Sequence, residues 1–336
     1  MGRIQDILKE VQVMKDTPQV PDIILKPVIL EPIIVNNKIR VSASRKVFNV
    51  FNIILLTIIS LSCILPFIHL LAISLSSSVP VMAGRVGLWP VEFTTGAYRF
   101  VLGNPAFFRS LWVSIQRIGV GVPINLIFIV LTAYPISRSL REFRARSVMA
   151  WFFVFTMLFN GGLIPGFMIV RATGLMNTIW ALTIPGALPI FSMLIVMNYM
   201  RMLPQEIFEA AYIDGASHIK TLVKVVLPIS APTLATVGLF SFVGHWNDWL
   251  GGRIFMDRVE MYPLQTYLQT VIIDPLIFFQ NLQNVTTADV SIFLDIVNAR
   301  TNAAAQLFLG LIPILLVYPF CQKYFTTGLV LGSVKG

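Results

Sequence analysis

The chain has 336 residues, 56% hydrophobic and 12% charged, with a formal net charge of +9. Soluble domains are about 45–50% apolar and about 25% charged, and they interleave those charges along surface helices. This balance excludes a soluble enzyme, a DNA-binding domain and a secreted disulfide scaffold.

Six stretches contain no Asp, Glu, Lys or Arg: 47–84, 118–137, 147–170, 172–200, 225–247 and 301–322. Each can supply the roughly 20 apolar residues that a helix needs to cross a bilayer. The pattern predicts an all-α polytopic membrane protein with six transmembrane helices. Residues 1–47 precede them. Ile4, Ile7, Leu8, Val11 and Met14 stand at helical spacing and predict an amphipathic helix over 4–14. Pro18, Pro21, Pro27 and Pro32 predict an extended segment over 17–40. The spans are then expected near 48–75, 110–135, 148–168, 179–200, 232–251 and 303–322. Cys63 and Cys321 fall inside spans without metal-ligand spacing and read as buried, inert thiols.

Lys and Arg counts set the orientation. With the N-terminus inside, the inside segments hold 17 Lys and Arg and the outside segments 7. Both termini and segment 201–228 are therefore expected in the cytoplasm, and the loop 252–302 outside. The basic excess belongs to membrane-flanking loops, so nucleic acid is not an expected partner.

Segment 201–228 is polar and patterned. Pro204 suits a first helical turn, and Glu206 and Glu209 sit near the positive end of the helix that follows. Gly215 permits a sharp turn, Ser217 can cap a second helix, and Pro228 is expected to stop it. The expectation is two short helices at an angle, with Ala210 and Ala211 small enough for another surface to approach.

The run Glu209-Ala210-Ala211, then Asp214-Gly215-Ala216, then Leu227-Pro228 resembles the EAA motif of ABC-importer permeases. Leu163-Ile164-Pro165, Gly174-Leu175-Met176-Asn177-Thr178, Pro185-Gly186, His245-Trp246-Asn247 and Tyr262-Pro263-Leu264 resemble the carbohydrate-uptake branch. The resemblance covers roughly 48–336 and is strongest to the second permease subunits of oligosaccharide importers, the maltose-G-like and alginate types. It implies a type I importer permease fold in a bacterial plasma membrane, with 201–228 as a coupling-helix pair docking on an ATPase. The implied partners are a second permease subunit forming a heterodimer, two ATPase subunits, an extracytoplasmic solute-binding protein and an oligosaccharide. The sequence itself has no G-x-x-x-x-G-K-[ST] and no Gly-Lys dipeptide, so it lacks a P-loop for nucleotide phosphates. No cofactor is expected on this chain; ATP and Mg belong to the ATPase. His69, His218 and His245 show no metal spacing.

Polar residues inside spans are costly and often functional. His245, Trp246, Asn247 and Asp248, followed by Trp249, end the fifth span and are candidates for the cargo path. An aromatic belt at the lipid interface is the competing reading. Asn160, Asn198 and Tyr199 are weaker candidates, and Arg117 in the second span either snorkels or pairs within the bundle. A membrane-embedded transferase and a stand-alone secondary transporter remain alternatives at this level.

Overall fold

The computed structural model describes residues 43–273 and 299–333. The expected helix over 4–14 and extended segment over 17–40 lie outside them, as does much of 252–302. Helix α1 covers Ala43–Ser74, α2 Ser78–Met82, α3 Gly96–Gly103 and α4 Pro105–Ser137. Then come α5 Arg146–Leu158, α6 Leu163–Ala172, α7 Ile179–Thr183 and α8 Ile190–Arg201. Helix α9 covers Gln205–Ile213, α10 His218–Ile229, α11 Ala231–Asn247 and α12 Leu250–Phe255. Helices α13, Leu264–Ile273, and α14, Ala299–Ser333, complete the described chain. Among the described residues there is no strand, only an isolated bridge between Ser76 and Phe93.

Helix α4 is the central post. Asn104 starts it by accepting a hydrogen bond from the Ala106 N–H at 2.9 Å, and Pro105 occupies the first turn where no N–H is needed. Its 33 residues extend about 50 Å at ~1.5 Å per residue, more than the about 30 Å of a hydrocarbon core. Two apolar cores form along it. Near its start, Phe107 packs with Leu182, Trp246, Leu264 and Ala305. Near its end, Ile129, Ala133 and Ile136 pack with Met193, Met200, Phe208, Leu222, Val226 and Val237.

Three helices are long and apolar enough to cross a bilayer, Ser44–Ser74, Pro105–Ser137 and Ala299–Val317, and each of two bent pairs can add one more span. The apolar side chains of Ile59, Leu61, Ile64 and Leu65 in α1 and of Trp151, Phe152 and Phe155 in α5 are exposed, as suits a surface facing lipid or a partner subunit.

Several predicted spans are not single helices. The third, 148–168, is broken into α5 and α6 at 111°. Asn160 sits in the break, where its side chain accepts from the Gly162 N–H at 2.8 Å. The fourth, 179–200, is broken into α7 and α8 by the stretch holding Pro185 and Pro189, each of which lacks an N–H. The fifth begins at Ala231 after an 81° bend from α10 and ends at Asn247 rather than 251. Cys63, expected to be buried, lies exposed on α1.

Candidate functional site

Two sites take shape, one at each core. The first is the hairpin α9–α10. Its turn closes with two hydrogen bonds: Ala216 N–H to Ala211 C=O at 2.9 Å and Gly215 N–H to Tyr212 C=O at 3.0 Å. This Schellman pattern requires a left-handed residue at the first position past the cap, and Gly215 takes φ +71°. Asp214 is the cap residue, and its N–H reaches Ala210 C=O at 3.0 Å. Ser217 then caps α10 by accepting from the Lys220 N–H at 3.4 Å. The Tyr212 hydroxyl and His218 Nδ1 lie 3.2 Å apart with their rings edge to face, bracing the two helices.

Pro204 immediately precedes the first helical residue, and Glu209 stands in the middle of α9 rather than in its first turn. Pro228 does not stop the second helix. The backbone widens to a π-helix over Leu222–Val226, and the chain stays helical through Ile229. A proline in regular α-helix clashes with the carbonyl four residues back; the wider π turn relieves that contact. Leu227 is half-buried and Pro228 exposed.

The hairpin has one docked face and one open face. Phe208, Ala211, Leu222 and Val226 are buried. The Arg138 guanidinium lies 3.6 Å above the Phe208 ring and 5.0 Å from Tyr134, a cation–π clamp between the end of α4 and α9. Tyr199 donates to Ile229 C=O at 3.0 Å and Arg201 to Ile136 C=O at 3.2 Å. On the open face, Glu209, Ala210 and Asp214 are exposed beside Ile213, 86% exposed, and Ile219, 75% exposed. Ala216 is half-buried at the turn.

The second site is a cavity of about 290 Å³ bounded by α4, α7, α8, α11, α12 and the break between α7 and α8. Its polar lining comprises Arg117, Asn125, Ser192, Ser241, His245 and Asp248. Asn125 organises it. Its amide nitrogen donates to Gly186 C=O at 2.8 Å and Ala187 C=O at 2.9 Å, satisfying the broken backbone. Its Oδ1 is left as an acceptor, so His245 Nε2 donates to it at 2.9 Å. Arg117 donates from Nη1 to Asp248 C=O at 3.0 Å and from Nη2 to the Asp248 carboxylate. Of the two sequence readings for Arg117, pairing within the bundle is the one observed.

The expected cluster at the end of α11 is therefore divided. His245 and Asp248 line the cavity. Trp246 is turned away, 3% exposed in the apolar core and stacked on Phe242 at 6.3 Å. Asn247 and Trp249 are exposed, and neither they nor Asn160 line the cavity. Asn125, Ser192 and Ser241 were not singled out from sequence; their signal was a polar residue inside an otherwise apolar run.

The described chain thus combines apolar helices long enough to cross a bilayer, a polar cavity at one core and a helical hairpin docked on the other. Residues 100–329 match the family described as binding-protein-dependent transport system inner membrane component, and the chain belongs to that family. Protein LplC of Bacillus subtilis is 36% identical over 294 residues, covering 87% of this chain and 96% of that protein. The polygalacturonan/rhamnogalacturonan transport system permease protein YtcP of the same organism is 34% identical, covering 84% and 96%. The trehalose/maltose transport system permease protein MalG of Thermococcus litoralis is 28% identical, covering 88% and 99%. A crystal structure of a bacterial ABC transporter involved in the import of the acidic polysaccharide alginate contains a chain with TM-score 0.76 and 34% identity, covering 84% of this chain and 98% of that one.

The protein is thus a multi-pass inner-membrane permease subunit of an ABC importer. It is not itself an enzyme: ATP hydrolysis resides on a separate subunit, within a complex that also includes another permease and a binding protein. Family membership sets aside the transferase and the stand-alone transporter.

Proposed function

We propose that this chain passes an oligosaccharide through the bilayer, with the Asn125–His245 cavity as part of the path and the open face of α9–α10 as the ATPase contact. The supporting observation is the interrupted backbone between α7 and α8. Irregular backbone at membrane depth survives only where protein buries it or it lines a cavity. Here Asn125 holds its carbonyls beside a polar cavity. Three of the similar proteins are named for transport or import of saccharides.

The finer reading has six spans, with Ile190–Met202 serving as one despite its short length. Both termini and the hairpin face the cytoplasm, in keeping with the Lys and Arg bias. Glu209, Ala210, Ala211, Asp214, Gly215, Ala216, Leu227 and Pro228 form the coupling element. His245 and Asp248 contact cargo, and Asn247 and Asn160 serve the path from outside the cavity. Trp246 supports the site from the core. This chain pairs with one different permease and two ATPase subunits, and it carries no cofactor. Reconstitution of the full complex with its binding protein in liposomes tests the reading. ATP-dependent accumulation of oligosaccharide is expected. Absence of any oligosaccharide accumulation, acidic or neutral, with an assembled and ATP-hydrolysing complex contradicts it.

A further inference from the structure

We propose that the Arg117–Asp248 pair is a carboxylate-exchange site that makes the cavity select acidic, uronate-bearing oligosaccharides over neutral ones. The inference rests on the reading of the cavity as part of the cargo path and names the class of cargo.

The two partners are unequal. The Arg117 side chain keeps 4% of its surface, that of Asp248 37%. Arg117 spends one terminal nitrogen on the Asp248 carbonyl and the other on its carboxylate, while buried Nε has no partner among the described residues. A guanidinium has five N–H donors in a rigid fork that matches a carboxylate, so donor capacity is left over. A path for neutral sugar needs only amides and hydroxyls, and Asn125, Ser192 and Ser241 already provide them. The buried cation adds something those groups cannot: an obligatory anionic partner.

That requirement makes exchange the natural event. Leaving a buried charge alone is strongly destabilising, so Arg117 cannot give up Asp248 without a replacement anion. Asp248 can leave. It sits in the loop between α11 and α12, open to water, and its Oδ1 accepts from the Gly251 N–H at 3.0 Å independently of Arg117. A cargo carboxylate entering the cavity takes the place of Asp248 one for one. The guanidinium stays paired throughout, and the displaced carboxylate is taken up by water and by the Gly251 N–H. A neutral sugar has no group to offer and meets a closed ion pair. The exchange removes the side-chain bond between α4 and the α11–α12 loop, while the bond from Arg117 Nη1 to the Asp248 carbonyl keeps the two elements joined.

The test is equilibrium binding to the assembled complex of both permeases and the ATPases. The probes are a tetragalacturonate, a tetramannuronate and maltotetraose, which share a length and differ in charge. Wild type is expected to bind at least one of the acidic probes more tightly than maltotetraose. Arg117→Gln should weaken the acidic probe about tenfold or more, and Arg117→Lys, which keeps the charge without the fork, should weaken it less. Asp248→Asn should strengthen it severalfold, because the competing carboxylate is gone while the Gly251 contact is preserved. Maltotetraose, which brings no carboxylate to compete for the guanidinium, should not show this opposite response to Arg117→Gln and Asp248→Asn. A purely structural ion pair predicts instead that Arg117→Gln and Asp248→Asn move acidic binding in the same direction. That result overturns the proposal. So does maltotetraose binding as tightly as the acidic probes, or no acidic binding to wild type. The oligosaccharide reading stands or falls separately, on the liposome accumulation described above.

Discussion

Gly121 is glycine because an imidazole occupies the space its side chain would need. A Cβ there would lie 2.5 Å from His245 Nε2 and 2.7 Å from Cε1, and the ring is held on Asn125. Gly121→Ala therefore forces the ring off its partner. Overpacking of this kind costs about 1–3 kcal/mol, and a lower thermal midpoint of the purified complex, with weakened cargo transport, is the expected result. Asn125 is tested by Asn125→Leu, which abandons Gly186 C=O, Ala187 C=O and His245 Nε2 together. Each buried group left unsatisfied costs about 1–3 kcal/mol. Faster hydrogen exchange confined to the neighbourhood of 184–189 is expected, with Asn125→Asp only partly preserving the wild type, since a carboxylate accepts from His245 but cannot donate to the carbonyls. Unchanged exchange in both variants would show that the break is held by other contacts.

Among the elements, the hairpin depends on a residue outside it. Arg138 spans Phe208 and Tyr134, and its carbonyl accepts from Arg146 Nη1 at 2.6 Å. Desolvated cation–π contacts contribute about 2 kcal/mol, so Arg138→Ala should raise local opening of 205–213 roughly thirtyfold, read as amide exchange, while membrane abundance holds. An exchange rate equal to wild type would remove Arg138 from the clamp. The hairpin was legible in the sequence because its signals are local: Gly215 for a positive φ and Ser217 for a cap; of the two alanines read as open to another surface, Ala210 is exposed and Ala211 is buried on the docked face. The breaks in the spans were less legible. Charge-free length reports apolarity and carries no information on helix direction, so 148–168 and 179–200 read as continuous. Pro185 and Pro189 were the available signal for the second break. The π segment that carries the chain through Pro228 depends on the packing of Leu222 and Val226 and leaves no mark in composition. The cavity was half legible. His245 and Asp248 stood out by type, but Trp246 shares their run, and only the register of α11 separates the core face from the cavity face. Asn125 was hidden in a run counted as apolar.

At the scale of the molecule, α4 and α11 each run from one apolar core to the other, with Phe107 and Trp246 in the first and Ile129 and Val237 in the second. The cavity and the hairpin are thus packed against the same two helices. A force applied to α9–α10 has a contiguous packed route toward the cavity, and the proposed coupling depends on a hairpin held at one angle. The most direct test is Gly215→Val. Apart from its own chain neighbours, no atom lies within 4 Å of the position where its Cβ would stand, so the effect comes from the local backbone at φ +71° rather than from packing. A β-branched residue is a genuine outlier there, and it should turn α10 off the angle that the Schellman turn sets. The measurement is affinity co-purification of the ATPase with the permease, with permease abundance in the membrane as the control. The account predicts normal abundance, a strongly reduced ATPase share and loss of ATP-driven uptake. ATPase retained at wild-type stoichiometry with uptake intact would contradict the assignment of α9–α10 as the coupling element.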